Sequence, residues 1–181
     1  MTYIEIVRAT GAAAMLATAL GTAPASAAGD HSGGHGHSDA TADIGAPAKP
    51  AQADRTVKVV MTDTAYSIDS LTVSAGETVT FEVRNDGALV HEFNIGTKKM
   101  HEAHQDEMQH MMEEGTLSAH HMDEGGHHHG GAGNSVLLNP GETGTLTWTF
   151  EAPMELRFAC NVPGHYEAGM HGPITVRPAE S

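Results

Sequence analysis

From Arg55 onward the chain alternates apolar and polar residues with a period of two, and that alternation, broken once and then resumed, constrains the fold more than any other feature. Val57, Val59 and Met61 recur at every second position, followed by Leu71 and Val73. Past a turn at Ala75-Gly76-Glu77 come Val79, Phe81 and Val83, ending at Asn85-Asp86-Gly87. In an extended chain such positions share one face, so each run predicts a half-buried strand, and the Gly, Asn and Asp residues between runs predict tight turns. The stretch LVHEFNIG puts His91, Phe93 and Ile95 on one face. The pattern stops for 38 residues, 97–134, and resumes in SVLLNPGETGTLTWTFEAPMELRFAC, with a turn at Asn139-Pro140-Gly141-Glu142. Leu146, Trp148 and Phe150 alternate there, as do Leu156, Phe158 and Cys160, and a last strand runs from Ile174 to Arg177. About seven short strands at close spacing predict an all-β fold, a sandwich or barrel. Segments 55–96 and 135–181 sum to about 90 residues, the size of one small sandwich.

What precedes this pattern reads differently. Residues 1–27 carry one Arg, an Ala/Leu/Met-rich stretch and the small-x-small run Ala25-Ser26-Ala27, which predicts a secretory signal cut after Ala27. The apolar run is too short to span a bilayer, which needs about 20 residues. The mature chain is therefore expected in the periplasm, without a membrane span. Residues 28–54 are Gly, Ala, Ser, Asp and Pro with almost no large apolar side chain, and are expected to form a disordered leader bearing His31, His35 and His37. A formal charge of −14, with nine Lys and Arg and no basic run, excludes nucleic acid and anionic membrane as partners and suits cations or a basic protein.

The interruption, TKKMHEAHQDEMQHMMEEGTLSAHHMDEGGHHHGGAG, holds eight of the fourteen histidines and five of the ten methionines. Helical spacing and strong helix formers predict a helix from about Lys98 to Glu114 with Met100, His104, Met108 and Met111 on one stripe and Gly115 as the stop. Beyond Gly115 the Gly/His composition offers little to bury and predicts a mobile loop.

One cysteine in a secreted chain makes no intramolecular disulfide, so its thiol needs another use. Cys160 is followed by His165 and then Met170 in a single strand-to-strand loop. A thiolate, two imidazoles and a distant thioether are what a mononuclear electron-transfer copper site needs: Cys and His supply a strong trigonal plane and Met a weak axial bond. Three of the four donors are in this loop. His91, on a strand among apolar neighbours where an uncompensated ring would be costly, is the candidate for the fourth.

The segments LTVSAGETVTFEVRNDGALVHEFNIG and CNVPGHYEAGMHG resemble those that carry the copper ligands in cupredoxins, and the resemblance covers most of 55–96 and 135–181. It implies a Greek-key β-sandwich with one type 1 copper held by His91, Cys160, His165 and Met170. The Cys-x4-His-x4-Met loop is longer than that of plastocyanin and is similar to the rusticyanin and auracyanin type. Common electron-transfer cupredoxins lack a Met/His-rich insert at 97–134 and a His-bearing leader. Here the chain is similar to the periplasmic cupredoxins of bacterial copper-tolerance systems.

Thioether is soft and selects Cu(I), while imidazole accepts either oxidation state, so the insert offers donors for additional copper. The candidate secondary ligands are Met100, His101, His104, Met108, His110, Met111, Met112, His120, His121, Met122, His127, His128 and His129, with His31, His35 and His37 in the leader. The competing account is a Met stripe packing on the sandwich with a solvated His tail. Two functions follow: a copper-tolerance protein that binds and buffers copper, with Cu(I)/Cu(II) cycling, or an electron carrier with the insert as docking decoration. Either implies a redox or copper-exchange protein partner. A copper oxidase or nitrite reductase needs further copper centres built from several His-x-His elements on strands, and the chain has that spacing only at His35-x-His37, in the leader, and within the His127–His129 triplet. If the insert is a separable loop, its deletion is expected to leave the type 1 copper intact, since shortening a flexible loop costs little entropy.

Overall fold

The computed structural model describes residues 43–122 and 133–179. Within them ten strands form two five-stranded sheets. The first has the order β1 (Ala46–Pro47), β8 (Thr143–Thr149), β5 (Thr78–Asn85), β2 (Arg55–Thr62) and β3 (Ala65–Tyr66). The second has the order β4 (Leu71–Ser74), β10 (His171–Arg177), β9 (Met154–Ala159), β6 (His91–Gly96) and β7 (Ser135–Leu138). The pairs β2/β5 and β4/β10 are parallel and the others antiparallel. Strands β4 and β5 follow one another in sequence but belong to opposite sheets, the crossing that a Greek-key sandwich requires.

The period-two runs supply the core. Val79, Phe81 and Val83 from one sheet face Phe93, Ile95, Leu156 and Phe158 from the other, and all are buried. Phe81 meets Phe93 across the gap, with ring centroids 5.0 Å apart, and Phe93 stacks on Phe158 of the neighbouring strand in its own sheet at 5.8 Å. Each such side chain stabilises the fold by about 1.5–3 kcal/mol through burial. The packed sandwich is what holds His91, at the start of β6, opposite Cys160, just past the end of β9.

Two expectations fail at the margins. Residues 43–54 are not a disordered leader. Ile44 is buried (2% exposed), Trp148 Nε1 donates to its carbonyl at 3.3 Å, and β1 pairs with β8, Ala46 opposite Thr149 and Pro47 opposite Trp148. One isoleucine in an Ala/Gly/Pro tract carries no periodicity, yet the open edge of β8 and the flank of Trp148 accept it. Gly45 permits the approach: its φ is +125°, and a Cβ would lie 2.1 Å from the Thr149 carbonyl oxygen. Residues 28–42, with His31, His35 and His37, and the signal segment 1–27 lie outside the described residues.

The second correction concerns the insert. Helix α1 spans Lys98–Glu113, capped by Thr97, whose side chain accepts from the Met100 N–H, and it stops at Gly115 in the left-handed region. Residues 116–122, expected to be mobile, instead lie along the sandwich. Leu117 and Met122 are buried, the Val90 N–H donates to the Ala119 carbonyl at 2.8 Å, and the Met122 N–H donates to Asn139 Oδ1 at 2.8 Å. Two apolar side chains five positions apart, Leu117 and Met122 with Met108 beside them in the core, suffice to pin a stretch whose average composition is polar. His127, His128 and His129 lie in 123–132, outside the described residues. No helix among the described residues is long and apolar enough to cross a membrane.

A charged contact also docks α1 on the sandwich: His104 Nε2 donates to Glu92 Oε1 at 2.9 Å, and Glu92 is 1% exposed. The Glu92 carboxylate, with Glu107 adding to it, raises the His104 pKa to about 9, against the opposing effect of burial. Burial pushes the Glu92 carboxyl up, but His104 and the hydrogen bonds from Asn161 and Asn94 outweigh it and hold it below its ordinary value. For a raised histidine the stabilisation is fully present below the unfolded pKa of about 6.5 and is lost as pH rises through the folded value. The gap in melting temperature between the metal-free protein and its His104→Gln variant is therefore expected to be wide at pH 6 and to close above pH about 9. A gap unchanged across that range would contradict the charged contact.

Candidate metal centre

His91, Cys160 and His165 are all buried, and their donor atoms lie within 4.8 Å of one another. Cys160 Sγ is 3.4 Å from His165 Nδ1 and 4.0 Å from His91 Nδ1, and the two imidazole rings are 4.8 Å apart at 44°. Both rings thus turn the same nitrogen toward the sulfur. Met170, fully buried, closes the loop: its carbonyl accepts from the Cys160 N–H at 3.1 Å and its N–H donates to the His165 carbonyl at 3.0 Å. Gly164 and Gly169, both at positive φ, make the turns that fold this loop back on itself.

The ring of His91 is fixed from behind by a residue that the sequence pattern did not single out. Asp63 Oδ1, in the β2–β3 turn, lies 3.1 Å from His91 Nε2 and also accepts the Ala88 and Leu89 N–H groups. With Nε2–H donating to that carboxylate, Nδ1 keeps its lone pair for the sulfur side. Thr64, next in the turn, is held at φ +66°, unusual for a β-branched residue. Gly87 permits the contact, since a Cβ there would lie 2.3 Å from Asp63 Oδ1 and 2.9 Å from His91 Nε2.

The electrostatics suit a soft cation that binds by displacing protons. Burial pushes the Cys160 thiol up to about 12, so without metal it is protonated at neutral pH. Burial lowers both imidazoles, with Asp63 partly opposing at His91 and the neighbouring His91 adding to the effect at His165, so both are neutral and able to donate lone pairs. The Glu92 N–H points at Cys160 Sγ at 3.3 Å, a donor that favours the thiolate. A buried thiol able to give up its proton and two imidazoles brought together, with the buried thioether of Met170 on the same loop, are a copper donor set. His171 stands outside it, half-buried against Tyr166 with centroids 4.5 Å apart.

The insert residues are distributed differently. Met108 and Met122 are core residues, Met100, Met111 and Met112 are half-buried, and His110, His120 and His121 are exposed. His101 is buried with Nε2 on the Arg157 carbonyl at 3.3 Å, and His104 is engaged at both ring nitrogens, by Glu92 and Glu107. Among the described residues the structure brings only the His91–Cys160–His165 group together as a cluster of three.

The profile of the Cupredoxin-like domain family matches residues 37–119. A Pseudomonas aeruginosa protein named copper-resistant cuproprotein CopI is 43% identical over 150 residues, covering 75% of this chain and 83% of that one. Its namesake from Rubrivivax gelatinosus is 39% identical, over 91% of this chain and 92% of that one. This chain belongs to the cupredoxin family. The solved structure of auracyanin B agrees, with a TM-score of 0.56 at 25% identity over 75% of this chain and 97% of that one. In this cupredoxin His91, Cys160 and His165, with the buried Met170 on the same loop, are the residues that would hold a type 1 copper. With the thiol protonated in the metal-free protein, a copper ion held there would displace its proton.

Met170 would be the weak donor of the set, since thioether binds Cu(II) poorly. Met170→Leu conserves volume in the buried site and is expected to shift the visible spectrum and the reduction potential while copper stays bound. Absorption, potentiometry and metal analysis of the purified variant check this, and a folded variant that has lost its copper would assign Met170 a larger role.

Proposed function

We propose that this cupredoxin is a periplasmic copper-tolerance protein that binds and buffers excess copper, with its type 1 centre cycling between Cu(I) and Cu(II). The observation that carries the reading is the buried cluster of Cys160, His91 and His165 in a chain that shares three-quarters or more of its length with relatives named copper-resistant cuproproteins. Copper bound there supplies a one-electron couple. The chain's own residues hold the geometry for both oxidation states: Asp63 orients His91, the loop hydrogen bonds tie Met170 to Cys160 and His165, and the core excludes water from the sulfur. A donor set already gathered before metal arrives needs little rearrangement when an electron moves. The amino-terminal segment 1–27 supports export through its signal-like pattern. The exposed His110, His120 and His121 are candidate donors for additional copper, and the sequence adds the His127–His129 triplet, outside the described residues. We read the protein as a binder and not an enzyme, given that His-x-His spacing occurs only at His35-x-His37 and within the His127–His129 triplet, neither of which falls in one of the period-two strand runs.

A second reading, an electron carrier working with a redox partner, is favoured by the likeness to auracyanin, one of whose solved forms is titled a blue copper protein. Copper stoichiometry separates the two. Titration with Cu(I) and with Cu(II) is expected to give more than one equivalent per chain in the native protein. It should give fewer when residues 123–132 are replaced by a Gly/Ser run of equal length. A strain carrying that replacement should be more copper-sensitive than its parent. A single equivalent in both proteins, with no change in sensitivity on deleting the gene, would leave the carrier reading.

A further inference from the structure

We propose that His104 of the insert helix is a positioning residue for the copper centre, acting through Glu92 and Asn161 on Cys160. Glu92 follows the ligand His91 in β6 and is buried. Its three polar groups point in three directions. The main-chain N–H is on Cys160 Sγ at 3.3 Å. Carboxylate Oε2 takes both the side-chain amide of Asn161, at 2.8 Å, and its main-chain N–H, at 3.3 Å. Oε1 takes His104 Nε2 at 2.9 Å and Asn94 Nδ2 at 3.3 Å. Asn161 is the residue immediately after Cys160, so one carboxylate joins the strand that carries the first histidine to the loop that carries the other three ligands. The cationic partner that makes a buried carboxylate tolerable there comes from the insert, not from the sandwich.

The helix is itself held in place on both sides of His104. His101 is buried with Nε2 on the Arg157 carbonyl of β9, and Met108 is in the core. Glu107 holds the other His104 nitrogen, Nδ1, at 2.9 Å, which orients the ring toward Glu92. Without the imidazole, Glu92 is a buried carboxylate with amide donors alone and cannot keep the same orientation. Its grip on the Asn161 N–H then loosens, and with it the position of the Cys160 sulfur relative to the Glu92 N–H. Hydrogen bonds and dipoles around a copper-bound cysteine sulfur tune the potential of such sites, so a helix outside the ligand set acts on the metal's properties. This rests on the copper centre and not on whether the insert binds further copper.

The test compares His104→Ala, His104→Leu, which keeps the half-buried volume, and His104→Lys, which restores a cation, with His110→Ala, an exposed histidine of the same helix, as control. In the copper-loaded proteins His104→Ala and His104→Leu are expected to retain the type 1 copper but to change the relative intensities of the visible bands and shift the reduction potential. In the metal-free proteins they should raise the rate of Cys160 alkylation several-fold. His104→Lys should recover part of both effects and His110→Ala should show neither. By reciprocity, the ring nitrogen resonances of His104 in the unsubstituted protein should move when Cu(I) loads. A folded His104→Ala or His104→Leu protein with native spectrum, potential and thiol reactivity would overturn the proposal even if its melting temperature fell. So would His104 resonances unmoved by Cu(I), which decides the matter if neither variant folds.

Discussion

Cys160→Ser is expected to abolish the intense visible absorption of the Cu(II) protein while leaving the two sheets folded. The absorption is a thiolate-to-copper charge transfer, and Cys160 is the chain's only sulfur of that kind. Neither imidazole nor thioether can substitute for it. The fold does not depend on it to the same degree, because serine is nearly isosteric and its hydroxyl can accept the Glu92 N–H that now points at the sulfur at 3.3 Å. A buried hydrogen bond of that kind is worth about 0.5–1.5 kcal/mol, so the melting temperature of the metal-free variant should move by only a few degrees, roughly 4–8 °C per kcal/mol in a domain of this size. Circular dichroism and absorption on the same sample measure both halves. A variant that keeps the band would remove Cys160 from the ligand set.

Removing residues 97–134 should have the opposite pattern and destroy the folded state along with the colour. The flexible-loop expectation was that the sandwich would close across a short linker, and the packing argues otherwise. Met108, Leu117 and Met122 are buried in the same core as the strands. Each stabilises by about 1.5–3 kcal/mol. The deletion also strips His104 from the buried Glu92, and breaking one side of a buried ion pair costs about 3–5 kcal/mol. The Val90 N–H, next to the ligand His91, loses its acceptor at Ala119. Against a typical total of about 5–15 kcal/mol, these losses leave little or nothing. Replacing only 123–132 leaves every one of these contacts in place and should preserve the visible spectrum. Chemical denaturation and absorption of the two proteins side by side decide the point. A folded, blue protein lacking 97–134 would return the insert to the status of decoration.

What the sequence by itself determined depends on local geometry. Period-two alternation is a property of any extended chain with one buried face, so β2, β4, β5, β8 and β9 could be read from Val57 to Phe158 without knowing what they packed against. The ligand loop was legible for the same reason: Cys160, His165 and Met170 are carried by one loop of the chain, and their spacing is meaningful on its own. Helix α1 announced itself by its formers and its Gly115 stop. His91 needed one step more, since it lies 69 residues from Cys160 and was recognisable only as a polar ring on an apolar strand. Tertiary structure alone decided the rest. Asp63 reaches His91 across 28 residues from an ordinary-looking turn, and Glu92 meets Asn161 across 69 residues. Neither carboxylate had a local signature, because what makes each one special is the partner that sheet closure brings to it. Ile44 and the 116–122 segment were read as unstructured because polar composition measures how much a stretch could bury on average. One or two apolar side chains, given a β8 edge or a gap beside Met108 to fill, are enough to order it.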